Sequence, residues 1–373
     1  MRKGGVKGTG SSDKAAPLMI QEDRGRVAWM PGHPALTFLK CYSYPMRYIT
    51  NSETTEMRRC MRRWYLSHYR QLKPRSDRLN ESATTGNLVH EPLAQWYNNS
   101  QDPLATLVYE SETMILEQEN LMVEGLGENA ISMIDQNIKT IKNSAAFAKI
   151  ILEGYLEWLE EEGADSFLTL IAAETELTVV MPVTNFSEKV ALLAKLDARF
   201  LDQRSNANRF MDHKVVQNFS DREKWAQKDP QFLFYGLVEY LTSTITNPGE
   251  PEMWTDGGIL NMLRKVKRTA SATPPFYKRK DVRHSLIELQ NYFIRLSGEI
   301  TRILQTTEML DKGVDHHLAC PPSPTRDCDW DCKFFTLCDF MDDGSDSEGY
   351  VEASYETVNP LERYASVPGL RSE

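Results

Sequence analysis

The chain has 373 residues, 41% apolar and 26% charged, ordinary proportions for a soluble globular protein and enough length for one large domain with insertions. No run of 18 apolar residues occurs, which excludes a membrane-spanning helix. The start MRKGGVKGTGSSDKAAP has no apolar core of the kind a secretory signal needs, so a cytoplasmic protein is expected. The formal net charge is −10, but much of it sits between Asp339 and Glu356, where acidic residues cluster without a Lys or Arg, so the total does not exclude a nucleic-acid ligand.

Residues 1–34 are rich in Gly, Ser and Lys without periodicity and read as a disordered arm. Ser52 to His68 reads as a helix capped by Ser52 or Thr54, and Gly86 to Tyr97 as an amphipathic helix. Asn120 to Glu161 reads as one or two long helices within a helical insertion spanning about residues 100–165. Glu174 to Pro182, Lys189 to Leu201 and Arg209 to Val216 have the β-branched and apolar content of strands. The last two are separated by the polar, turn-like DQRSNANR. Pro230 to Leu241 and Ser285 to Leu310 return to helical spacing. From residue 341 to 373 the chain is acidic and poor in apolar residues, which predicts a second disordered segment. Helices, then a short run of strands, then helices predict an α/β (α+β) core over residues 35–340, with a central mixed sheet flanked by helices.

The informative segment is LLAKLDARFLDQRSNANRFMDHKVV. If its two strands form a hairpin turning at Arg204 and Ser205, Asp197 and Asp212 are equidistant from the turn and stand opposite one another. Opposed residues on an antiparallel pair have Cβ atoms about 4.5–5.5 Å apart. Two carboxylates at that spacing repel unless they share a cation. Lys214, two residues beyond Asp212, points to the same face and can orient a water or take its proton. This is the equipment of metal-assisted phosphodiester hydrolysis. Taken alone, an Asp-x-Lys triplet is more often a solvated strand. His90 in TGNLVH is more often a satisfied histidine than a ligand. Gln231 and Tyr235, four apart in PQFLFYGL, are ordinary neighbours on a helix face.

Taken together, G-x-x-x-H, a strand aspartate, D-x-K after a turn and Q-x-x-x-Y on the next helix resemble the RecB-like branch of the PD-(D/E)XK nuclease superfamily. The resemblance implies a restriction-endonuclease-like core in which His90, Asp197 and Asp212 bind Mg²⁺ or Mn²⁺. Lys214 is then the catalytic lysine, and Gln231 and Tyr235 position DNA. Glu174 or Glu176, on the preceding strand, is a looser candidate for a further carboxylate. Where a glycine often precedes the first aspartate, this chain has Ala194 and Lys195.

Cys328, Cys332 and Cys338 fall within eleven residues, a spacing that suggests a metal or a cluster. With Cys60 upstream they resemble the four-cysteine iron–sulfur nucleases of this branch, AddB-type subunits and CRISPR-associated RecB-like nucleases. The first gap of the trio holds three residues here where the family usually has two. A [4Fe–4S] cluster is implied over a segment at 320–340, with Zn²⁺ as the competing occupant and Cys320 as an alternative ligand. Cys41 has no assigned role.

Arg58, Arg59, Arg62, Arg63, Arg70, Lys73, Arg75 and Arg78, interleaved with Trp64, Tyr65 and Tyr69, suit single-stranded DNA as well as they suit a solvated face. A second basic stretch, Arg264 to Arg268 and Lys278 to Lys280, lies in a segment that resembles phage-encoded members of the group. No P-loop is present, so a separate helicase or recombinase partner is expected, and a homo-oligomer is compatible with the sequence. The reading is a DNA exonuclease acting on single-stranded or frayed ends in recombination, repair or replication. Its rivals are a non-catalytic scaffold of the same fold and a zinc-stapled DNA-binding module.

Overall fold

The computed structural model describes residues 46–75, 78–122, 127–181, 189–246 and 255–364; the arm expected over 1–34 and Cys41 lie outside them. Strand β1 (Met46–Thr50) turns directly into α1 (Asn51–Arg59), because the Thr50 hydroxyl accepts the Glu53 N–H and caps the helix. Helix α2 (Met61–Trp64) and a π-helical turn (Tyr65–Tyr69) follow. The single helix expected over Ser52–His68 is therefore broken at Cys60, whose backbone is extended, and its cap is Thr50 rather than Ser52 or Thr54. After strand β2 (Leu72–Pro74), α3 (Glu81–Asn99) starts at Asn80, whose side chain accepts the N–H groups of Ser82 and Ala83. Asp102 and Pro103 start α4 (Pro103–Asn120). Helix α5 (Glu128–Glu162) ends on Gly163 in the left-handed conformation. The helix expected to begin at Asn120 thus belongs to two elements, one ending there and one starting eight residues on.

Next come the strands β3 (Leu168–Met181), β4 (Lys189–Asp202) and β5 (Ala207–Val216). Helices α6 (Phe219–Trp225) and α7 (Pro230–Thr246) follow, then β6 (Thr255–Arg264) and β7 (Tyr277–Val282). The sheet order is β1-β4-β5-β6-β7, with β3 also on β4. Pairs β1/β4 and β5/β6 are parallel; β3/β4, β4/β5 and β6/β7 are antiparallel. Val190–Ala194 of β4 is buried without alternation, as a strand covered on both faces requires. One cover is α3, α4 and α5, whose Leu88, Leu93, Leu107, Ile151 and Leu152 pack with Leu263 and Tyr277 of the sheet.

The C-terminal third holds α8 (Leu286–Asp311), opened by a Ser285–Glu288 capping box. It is followed by α9 (His316–Ala319), α10 (Cys328–Asp331), α11 (Phe335–Asp343) and α12 (Ser347–Ser354). Strand β8 (Tyr355–Thr357) pairs antiparallel with β2, and a 3₁₀ turn spans Glu362–Tyr364. This corrects the disordered tail expected from residue 341: the chain is structured through Tyr364. Its acidity is matched by the N-terminal basic stretch, Glu348 pairing with Arg70 at 2.7 Å and Glu356 with Lys73 at 3.5 Å. Tyr355 and Tyr364 are buried, supplying the apolar anchors that overall composition hides. Among the described residues no helix is long and apolar enough to cross a membrane.

Candidate active site

β3 pairs with β4 from Met181↔Val190 to Leu168↔Asp202 and so occupies one edge of it along its length. β1, paired at Lys189–Leu193, and β5, paired at Ala198–Asp202, must therefore share the other edge. Between them the sheet forks. The β4/β5 ladder stops at Ala198↔Met211, and β5 continues beside β6. Asp197 and Asp212 are the next pair in that register, which is the one predicted from the turn. Asp197 Oδ2 accepts the backbone N–H of His213 at 2.8 Å, so a carboxylate bridges the strands where their backbones part.

Three other elements bring side chains to the fork. From α3, His90 Nδ1 lies 3.3 Å from Asp197 Oδ2. On β5, Lys214 Nζ is 2.7 Å from both carboxylate oxygens of Asp212 but hydrogen-bonds only Oδ1. Asp212 Oδ2 is buried with the Lys214 ammonium as its ion-pair partner. At the start of α7 the Asp229 side chain accepts the Gln231 N–H, and Gln231 Nε2 donates to the Tyr235 hydroxyl at 2.9 Å. All six residues expected from the sequence line one pocket of about 330 Å³, together with Glu91, Glu174, Lys195 and Arg363. Glu174, rather than Glu176, is the β3 carboxylate in this pocket. It stands opposite Asp197 in the β3/β4 register with φ of 48°, and Lys195 pairs with it at 2.5 Å.

Electrostatics separate the two aspartates. Burial pushes the Asp212 carboxyl up to about 6; Lys214 opposes this and Asp197 adds to it. Burial acts the same way on Asp197, but His90, Lys214 and His213 outweigh it and hold that carboxyl well below the usual range. Burial disfavours charge on His90 and Lys214, yet the carboxylates raise both pKa values. His213 is driven down to about 3 by burial and is neutral. The buried Asp212 carboxyl beside the ionised Asp197, with Glu174 in the same pocket, suits a hard cation with oxygen ligands.

Behind the fork lies a network that the sequence reading missed. The Asn261 amide on β6 donates to His213 Nδ1 at 2.7 Å and to the Tyr155 hydroxyl at 2.9 Å. Arg279 on β7 donates to Asn261 Oδ1, the Tyr155 hydroxyl and the Ala164 carbonyl, and it pairs with Asp165 at 2.6 Å. Only a strand assignment for residues 255–282, which read simply as basic, would have pointed to it.

The basic stretches are largely engaged within the chain. Arg62 is buried against Asp342 at 2.6 Å, Arg59 pairs with Asp331, and Arg58 with Glu299 at 3.5 Å. Trp64 and Tyr65 are buried, so they do not offer faces for bases. In the second stretch Lys265 pairs with Glu81, Arg268 with Glu157 and Lys278 with Glu223, at 2.6–2.8 Å.

Cys60 lies between α1 and α2, Cys328 and Cys332 bound α10, and Cys338 is in α11. Burial raises the thiol pKa of Cys332 and Cys338, and of Cys320 to about 12; Cys60 is close enough to add to all three shifts. Cys60 accepts from the Ser323 N–H, Cys328 from the Thr325 N–H, and Cys338 from Arg62. Among the described residues, only Asp315, His316 and His317 place three candidate ligand atoms at single-ion spacing; neither the cysteines nor His90, Asp197 and Asp212 do.

A mixed sheet forked around two carboxylates and a lysine, with helices on its flanks, defines the restriction-endonuclease-like fold. Residues 48–339 match the family model of the PD-(D/E)XK nuclease superfamily, and the chain belongs to that superfamily. Its members are nucleases, that is, hydrolases of nucleic-acid phosphodiester bonds. No curated protein sequence matches the chain. A solved structure titled "Crystal structure of SSO0001" aligns at 12% identity over 61% of this chain and 95% of its own, with a TM-score of 0.27.

Proposed function

We propose that this protein is a metal-dependent DNA exonuclease of the RecB-like branch, hydrolysing phosphodiester bonds at single-stranded or frayed ends. The observation that carries the reading is the buried Asp212 carboxylate, ion-paired with Lys214 and set beside Asp197 at the fork. Asp197, Asp212 and His90 would hold Mg²⁺ or Mn²⁺, with Glu174 in the same pocket. Such a cation supplies charge against the phosphate and makes water a better nucleophile. Lys214, kept protonated by its two aspartates, orients the attacking water and offsets charge developing on the phosphate oxygens. Gln231 donates one amide N–H to Tyr235, leaving its second N–H, its carbonyl oxygen and the tyrosine hydroxyl to orient the substrate. The preference for ends follows from the resemblance of the motif set to the RecB-like branch.

The same reading gives Cys60, Cys328, Cys332 and Cys338 a structural [4Fe–4S] cluster that ties α1–α2 to α10–α11. Support comes from the N–H groups directed at three of the four sulfurs and from the chemistry of a thiolate set. Cluster ligands bind different irons and so stand farther apart than ligands of one zinc. Iron with acid-labile sulfide in anaerobically purified protein supports the cluster; one zinc per chain replaces it.

The test of the exonuclease reading compares linear and circular single-stranded DNA of one sequence in Mg²⁺. Shortening of the linear form alone is expected. Nicking of the circle at a similar rate makes the enzyme an endonuclease, and cleavage of neither supports the scaffold.

A further inference from the structure

The cations nearest the fork are already matched: Lys214 by Asp212 and Lys195 by Glu174. Arg363 differs. It arrives on the C-terminal 3₁₀ turn, lines the same pocket, and is exposed. Its guanidinium lies 4.9 Å from the centre of the Tyr364 ring, and Nη2 donates to the Tyr364 hydroxyl at 2.8 Å. Among the described residues no carboxylate lies within salt-bridge distance of it. The ring beneath it is fixed: Tyr364 is 2% exposed and packs on Leu193 of β4, with Tyr48 and Leu361 beside it. The chain leading into the turn is tied down by the β2/β8 pairing and by Glu348 on Arg70. An arginine stacked on an anchored aromatic loses little freedom on meeting a phosphate, and its remaining N–H groups form a fork that fits phosphate oxygens.

We propose that Arg363 is a phosphate-contacting residue, delivered by the C-terminal segment, that binds the nucleic-acid backbone next to the bond being cut. This rests on the nuclease reading of the pocket. The segment then has two roles, closing the N-terminal basic stretch with its acidic residues and completing the substrate site with its arginine.

The experiment uses the full chain and a fluorescent single-stranded oligonucleotide. Binding is read by anisotropy across a salt series with Ca²⁺ in place of Mg²⁺, and cleavage is read separately in Mg²⁺. Arg363→Ala is expected to weaken binding several-fold. It should also reduce the slope of log K against log salt by about 0.7, the value of one phosphate contact on a single strand. The melting temperature should hold, and Arg363→Lys should recover the slope but only part of the affinity. An unchanged slope and affinity in Arg363→Ala, with cleaving wild type, overturns the inference and leaves the nuclease reading standing. If wild type binds without cleaving, the nuclease reading fails and the slope still decides Arg363. If wild type neither binds nor cleaves, both fail.

Discussion

Replacing Asp212 with asparagine is expected to move activity and stability in opposite directions. Cleavage should fall on the order of 10³-fold or more, since the variant loses a carboxylate from the cation's ligand set and the partner that positions Lys214. Metal-free protein at pH 8 should nonetheless melt higher than wild type. The Asp212 carboxyl, raised to about 6 by burial and by Asp197, binds its proton more tightly folded than unfolded. Stability from the protonated form is complete below the unfolded value near 4 and is lost as pH rises through 6. At pH 8 the ionised group is therefore a net cost to the fold, which the neutral isostere avoids. The gain should vanish near pH 4. Added Mg²⁺ should raise the wild-type melting temperature at pH 8 more than that of Asp212→Asn. A variant that melts lower than wild type at pH 8 contradicts this account of the buried carboxylate.

Arg279→Met should cost about 1–3 kcal/mol, the usual loss when buried polar groups are left without a partner, since its ion pair with Asp165 is only half-buried. The arginine joins Asp165, the Ala164 carbonyl, Tyr155 and Asn261, and its guanidinium lies 5.5 Å from the centre of the Trp158 ring. Methionine fills much of the volume but leaves the fully buried Tyr155 hydroxyl and Asn261 short of partners. Because Asn261 also orients His213, whose backbone N–H holds Asp197, a fall in kcat should accompany the lost stability. Urea denaturation reads the first effect. If Arg279 were instead a phosphate contact, as its place in a basic stretch suggests, stability would hold and the salt dependence of DNA binding would change.

These two residues show what the sequence disclosed and what it hid. Asp212 could be found because hairpin register depends on local counting: a turn at Arg204 and Ser205 puts Asp197 opposite it, and the β4/β5 ladder runs in that register. His90 and Gln231 could be found because they recur at fixed offsets along single helices. Arg279 was misread because its partners lie on α5, β6 and the turn between α5 and β3, more than a hundred residues away for Tyr155 and Asp165, and a strand rich in Lys and Arg looks solvated until its neighbours are known. The same holds for the acidic C-terminal segment. Composition counts its charges but not Arg70, Arg62 of α2 and Lys73 of β2 that meet them, nor Tyr355 and Tyr364 buried beneath. The fork itself could not be foreseen, because it needs β1 and β5 on one edge of β4 and only one of those strands was assigned.

The most direct measurement is cleavage of end-labelled linear DNA by the full-length protein in Mg²⁺, Mn²⁺ or EDTA, beside Lys214→Ala. Shortening that requires the cation, stops in EDTA and is lost in the variant, while the variant still folds and binds DNA, is the predicted result. Cleavage that survives in Lys214→Ala at the wild-type rate would contradict the assignment of chemistry to this fork.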